Sequence, residues 1–210
     1  KRANELQSIG EISKIITSEQ KLETLLPLIT RLVSENFGFY HTGIFLINET
    51  RQFAVLEAAN SDGGKNMLAR GHKLEVGATG IVGYVAKFGT TRIALDVGLD
   101  AVYFNNPDLP NTRSEMALPL KVYDHTIGVL DVQSERPGAF TENDAKTLSI
   151  LADQISIALE NARLFTQTQQ ALDEAQALYR QNVQEGWKTF SKEKELVGYQ
   201  QGLTSGKKLT

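Results

Sequence analysis

Few side chains in this 210-residue chain have the types and spacings that could do chemistry. Arg113 and Glu115 bracket Ser114 at the start of an apolar run. They could form the edge of a pocket, with Arg113 a bidentate donor for a carboxylate or phosphate and Glu115 an acceptor. The other reading is an ion pair closing the loop onto the sheet. Asp96 and Asp100 are near neighbours, and paired carboxylates can do acid–base work. No nucleophile or histidine accompanies them in sequence, and aspartates at strand ends commonly satisfy turn amides. Gly77, Gly80 and Gly83 have neither phosphate-loop nor dinucleotide spacing and read as a tight turn with close helix packing. Thr79 and Gly80 nonetheless stand at an expected helix start, where free amides attract anions. Tyr103 and Phe104 sit among turn residues, either as aromatic faces of a lid over a ligand or as anchors of a small apolar cluster. The three histidines, His41, His72 and His125, are dispersed: His41 opens a strand, His72 stands at the head of another, and His125 falls in a hairpin turn. No metal site is expected from them.

Composition removes whole classes of function. With no cysteine there can be no disulfide, thiolate metal site, cysteine nucleophile or thioether-linked chromophore. A net charge of −3 gives no footprint for nucleic acid. No apolar stretch approaches the roughly 18 residues of a membrane span, so neither membrane contact nor nucleic-acid contact is expected of this segment. Lys1 stands where an initiator Met would, which reads as a piece of a longer protein. That parent is expected in the cytoplasm, with a membrane anchor elsewhere still open.

The elements that must position these residues follow from periodicity. Leu6, Ile9, Ile12 and Ile16 recur at steps of three and four, a helical stripe. A second helix carries Leu22, Leu25, Leu26, Ile29, Leu32 and Val33, tolerates Pro27 one turn in, and stops at Gly38. Residues 43–47 and 53–59 read as paired strands around a polar turn. The loop chemistry of 60–64 leads to a short helix at 66–70 and a strand at 72–76. A helix is expected over 81–88 and a strand over 90–96. Residues 97–112 form a long loop, and a loop this long inside a compact domain is usually functional. Residues 114–123 and 126–134 make the clearest hairpin, turning at Asp124-His125. Thr141 caps a last helix whose pattern runs to about Asn182, roughly 60 Å. Its apolar seam, from Leu148 and Leu151 through Ile155, Ala158, Ala162, Phe165 and Leu172 to Tyr179, predicts a partner helix.

Several segments together resemble one family. Residues 75–85, Glu-Val-Gly-Ala-Thr-Gly-Ile-Val-Gly-Tyr-Val, resemble the glycine-rich strand-to-helix turn of GAF domains. Residues 112–120 resemble the GAF strand that follows a mobile loop, 127–132 its hairpin partner, and 140–155 the start of the last GAF helix. The resemblance covers about residues 20–165 and implies an α+β fold: a GAF/PAS-like central antiparallel sheet of five or six strands, helices on both faces, and a long C-terminal signalling helix. The division expected is a dimerisation helix over 1–19, the GAF domain over 20–165, a projecting coiled-coil helix over 166–182, and a weakly ordered tail over 183–210.

The resemblance further implies a non-enzymatic sensor module of a bacterial signalling protein, of the two-component kind, feeding an output domain of its parent. A small molecule would sit between the sheet and the 97–112 loop, touching Thr79, Gly80, Asp96, Tyr103, Phe104, Arg113 and Glu115. A homodimer through the terminal helices would use Leu6, Ile9, Ile16, Ile155, Ala162, Phe165 and Leu172. The ligand is not specified. Cysteine-linked bilins and the cysteine-dependent sulfoxide reductases of this fold are ruled out by composition. Ser134-Glu135 and Asp144-Ala145 depart from the Asn-Lys and Asp-Glu pairs of cyclic-nucleotide-binding GAF domains. A purely structural dimerisation module, its pocket filled by Phe45, Met116, Leu118 and Tyr103, is the rival.

Overall fold

The structure, a computed structural model, describes the backbone of residues 2–98, 105–193, 199–201 and 206–208, and side chains between 10 and 98 and between 105 and 190. Two compact units divide at Phe165/Thr166.

The first unit is built on a six-stranded antiparallel sheet, order β3-β2-β1-β6-β5-β4. Its strands are β1 (His41–Ile47), β2 (Phe53–Ala59), β3 (Lys73–Glu75), β4 (Arg92–Ala94), β5 (Ser114–Val122) and β6 (His125–Ser134). Helices α1 (Arg2–Ser18) and α2 (Leu22–Phe37) and the start of α5 (Glu142–Glu193) cover one face. Their Ile12, Ile16, Leu25, Ile29, Leu151 and Ile155 enclose a core with Ile44, Met116, Leu118, Leu130 and Val132. Helices α3 (Asp62–Ala69) and α4 (Gly80–Phe88) cover the other face, around Phe45, Leu56, Met67, Leu74, Ile81, Val85 and Val129. Both faces are therefore sealed, which explains why the central strands are apolar almost throughout. The fold is the α+β sheet with helices on both faces that the sequence implies.

Local signals act as their chemistry requires. Gly38 closes α2 at φ +68°, a conformation cheap only for glycine. Thr141 accepts from the Asp144 amide while Asp144 accepts from the Thr141 amide, at 3.2 and 2.8 Å, a reciprocal cap that starts α5. Three expectations shift. Helix α3 begins at Asp62, not Asn66, because Ser61 caps it by accepting from the Gly64 amide at 3.0 Å. The β5–β6 turn is Tyr123-Asp124, with Tyr123 at φ +53° and Val122 opposite His125; a register irregularity at Leu120/Lys121 moves the turn one residue from the expected Asp124-His125. Helix α5 continues through Gly186 to Glu193 rather than ending near Asn182, one glycine in an exposed helix costing only about 1 kcal/mol.

In the second unit, the α5 residues from Thr166 onward expose Leu172, Leu178, Tyr179 and Trp187, and Tyr199–Gln201 pairs with Gly206–Lys208. No helix among the described residues is long and apolar enough to cross a membrane.

Candidate functional site

The site lies where the three central strands turn polar side chains onto the α3/α4 face. Strand register sets this up. Asp131 on β6 stands opposite Gly43 of β1 and Ala117 of β5. One row along, Gln133 stands opposite His41 and Glu115. Alternation places all six on one face. The acid in the middle is thus flanked by the two smallest side chains available, and the bulkier polar groups surround it. A methyl group on Gly43 would come within 3.1 Å of His41 Nε2, so glycine there keeps open the hollow over Asp131.

These polar residues are buried: His41 is 0% exposed, Asp131 1%, Glu115 5% and Gln133 7%. They bond in sequence. Thr112 Oγ1 donates to Gln133 Oε1 at 2.6 Å, and Gln133 Nε2 donates to Asp131 Oδ2 at 2.7 Å. Asp131 Oδ1 and His41 Nε2 have no hydrogen-bond partner. His41 Nδ1 shares a 2.7 Å hydrogen bond with Ser61 Oγ. Burial holds the imidazole neutral, its pKa lowered to about 4. Burial pushes the Asp131 carboxyl up to about 7, against hydrogen bonds from Gln133 and Glu115 that favour its ionised form. Burial thus keeps a proton on the Asp131 carboxyl toward neutral pH.

A cavity of about 30 Å³ remains above the cluster, walled by Phe45, Met67, Leu74, Ile81 and Leu109 and reached by the first turn of α4 at Gly80. That is room for about two waters. The described end of the 97–112 segment forms its roof. Asn106 Nδ2 contacts Met67 Sδ at 2.8 Å, Arg70 pairs with Asp108, and Gly63 lies against the Asp108 carbonyl, where a Cβ would collide. Residues 63, 67 and 70 share one face of α3, so this helix is the latch for the roof.

Of the residues expected here, Glu115 and Gly80 line the cavity. Thr79 begins α4 without a side-chain cap bond and does not line it. Arg113 points away: its guanidinium reaches Asp96 at 3.6 Å on the surface, and the Val97 amide donates to its carbonyl. The ion-pair reading therefore describes Arg113 and Asp96. Tyr103, Phe104 and Asp100 lie outside the described residues. Met116 and Leu118, expected as pocket filling beside Phe45, point into the opposite core, because their positions alternate with Glu115 and Ala117. Asp131, Gln133 and His41 were not singled out as site residues; a carboxylate in the middle of an apolar strand was the signal. Among the described residues no group of three His, Asp or Glu is placed to hold a metal ion.

The terminal-helix residues divide. Ile16, Ile155 and Ala162 are spent inside the domain's own core, at 0–1% exposure, which removes them from any interface with a partner. Phe165 and Leu172 are exposed. Leu6 and Ile9 fall on α1, with side chains outside those described.

Comparison with known proteins agrees with this architecture. The chain is 28% identical over 189 residues to the dual 3',5'-cyclic-AMP and -GMP phosphodiesterase 11A of Takifugu rubripes, covering 85% of this chain and 21% of that protein. It thus spans about a fifth of that relative's length. The GAF domain of a phosphoenolpyruvate-protein phosphotransferase from Coxiella burnetii superposes with a TM-score of 0.70 at 20% identity, covering 78% of this chain and 97% of that one. The free methionine-R-sulfoxide reductase of Neisseria meningitidis, solved with its substrate, gives 0.67 at 24% identity, covering 76% and 90%. At these identities the structural likenesses establish the fold alone. The family model described as GAF domain matches residues 19–160, about two-thirds of the chain, and the chain therefore belongs to the GAF domain family.

Proposed function

We propose that this GAF domain is the non-enzymatic sensor of a bacterial, cytoplasmic signal-transduction protein, taking a small molecule between the sheet and the 97–112 segment. The observation that carries the reading is the buried polar hollow itself. Burying unpartnered polar atoms costs about 1–3 kcal/mol each, and Asp131 Oδ1 and His41 Nε2 are both left so beneath a roof held by a few contacts. A ligand that bonds them recovers that cost, and its size decides how far the roof must lift. Reordering of the roof would bias the terminal helices of a homodimer and so an output domain. Lack of cysteine removes thiol redox chemistry, although a neighbour of this fold is a sulfoxide reductase.

The rival, a structural dimerisation module, has one observation in its favour: the cavity of about 30 Å³ is too small for most metabolites with the roof as placed. Cyclic-nucleotide binding, suggested by the phosphodiesterase relative, lacks a cation for the phosphate. No Lys or Arg is among the described lining residues, and none occurs in 97–112. Native mass spectrometry of the purified protein, followed by hydrogen exchange with cellular metabolite fractions, tests the reading. Retained small-molecule mass, or protection arising in 97–112, supports the sensor. A bare protein whose roof no fraction protects supports the structural module.

A further inference from the structure

Building on the sensor reading, we propose that the ligand carries a primary ammonium group, which seats between Asp131 and Glu115. Three features of the site converge on a cationic donor. Two carboxyl side chains line the hollow, and Asp131 Oδ1 is without a hydrogen-bond partner beside Gly43 and Ala117, which present no bulky side chain to it. No Lys or Arg lines the cavity among the described residues, and His41 is held neutral. The space, about two waters in volume, matches an ammonium head, while Phe45, Met67, Leu74 and Leu109 offer an apolar wall to a carbon chain. An anion would meet carboxylates in this site, whereas an ammonium supplies them with a counter-ion and several N–H donors.

The charge balance gives the site a measurable property. Empty, the site keeps a proton on Asp131 toward neutral pH, because burial disfavours its charged form. When R–NH3+ enters, the proton leaves, and two carboxylates face one ammonium. Binding therefore releases up to one proton and tightens as pH rises. The other groups facing the pair are Gln133 on β6, His41 on β1 and His72 ahead of β3, with Arg70 and Asp108 paired at the roof beyond His72. Burial lowers the pKa of both histidines, so neither supplies a competing cation above pH 7.

Matched probes test this: alkylammonium chlorides, alcohols and sodium carboxylates of the same short carbon skeletons, titrated into the intact chain with amide NMR at Gly43, Ala117 and Asp131. Calorimetry in two buffers of different ionisation enthalpy counts protons. The expected order is amine above alcohol above carboxylate. Proton release should approach one at about pH 6 and vanish at about pH 9, where the pair is already ionised. Asp131→Asn and Glu115→Gln preserve shape, and each should weaken the amine by about tenfold or more and abolish proton release. Equal amine affinity in Asp131→Asn, or no proton release from the wild type, overturns the proposal. If carboxylates or alcohols outrank amines at these same amides, the ammonium assignment falls while the pocket reading stands. If no probe perturbs these amides, both fall.

Discussion

At the scale of single residues, the domain's pH behaviour is set by two buried groups acting in opposite directions. His41 has a folded pKa depressed to about 4 from 6.5, so its contribution is present above pH 6.5 and lost as pH falls toward 4. Asp131 has a folded pKa raised to about 7 from 3.8, so its contribution is present below pH 3.8 and lost as pH rises through 7. Between pH 4 and 6.5 the two oppose, and the wild type should show a shallow stability profile there. In Asp131→Asn the opposing carboxyl is gone while the depressed histidines remain. That variant should lose stability more steeply on acidification, and gain on the wild type as pH rises through 7. Urea unfolding at a series of pH values measures both curves, and parallel curves would sink the account. The same residue shows how the site could hide in the sequence. Glu115 stood out beside Arg113 at a loop end, where charge is conspicuous. Asp131 sits inside Gly-Val-Leu-Asp-Val-Gln, a stretch that otherwise reads as core strand. Counting the hairpin in steps of two puts Asp131 and Gln133 on the face of Glu115, but that count depends on the turn, and the turn lies one residue from where loop chemistry placed it.

At the scale of elements, α3 and the roof form a unit whose strength can be tuned. The short helix offers Gly63, Met67 and Arg70 to residues 106–109, and the contact at Gly63 leaves no space for a side chain. Gly63→Ala must push the roof outward or shift the helix, and overpacking of this kind costs about 1–3 kcal/mol. The described roof residues 105–112 lie outside the strand ladders, so the expected result is local opening. Amide exchange should accelerate across 105–112 while β1, β5 and β6 keep their protection. Ligand association should speed up as well, since less closure must be undone. Uniform acceleration through the central strands would instead mean that α3 stabilises the whole domain. The elements themselves are largely legible, because helix ends and strand pairs carry local signals such as Thr141, Gly38 and the apolar alternation, whereas the Ser61 cap of α3 hides in loop chemistry. The latch is not legible, since it joins residues about forty apart, Arg70 with Asp108, through a segment of mostly turn-forming residues.

At the scale of the whole molecule, periodicity finds an apolar helix face but not what covers it. The seam through Leu148, Leu151, Ile155, Ala158 and Ala162 has coiled-coil spacing, and it is the domain's own sheet and α2 that bury it. A helix packed on a sheet and a helix in a coiled coil present nearly the same repeat. Within the first unit α5 also exposes a second row, Ile150, Ile157 and Leu164, each about half accessible and spaced by seven. Exposed aliphatic residues scattered singly need no explanation, but a repeating row of them does. Since the row repeats along one face of the helix, a second copy can cover it by two-fold symmetry, the two rows packing on each other. Sedimentation at tens of micromolar is then expected to give a dimer. Ile157→Glu should yield a monomer with an unchanged circular dichroism spectrum, because its side chain faces outward and carries none of the core. Ile155→Glu, two residues away, should unfold the domain instead, placing a charge at a position with no exposure at all. That contrast separates the two faces of one helix: a dimer indifferent to Ile157→Glu and to Ile150→Glu would show that this row faces only solvent.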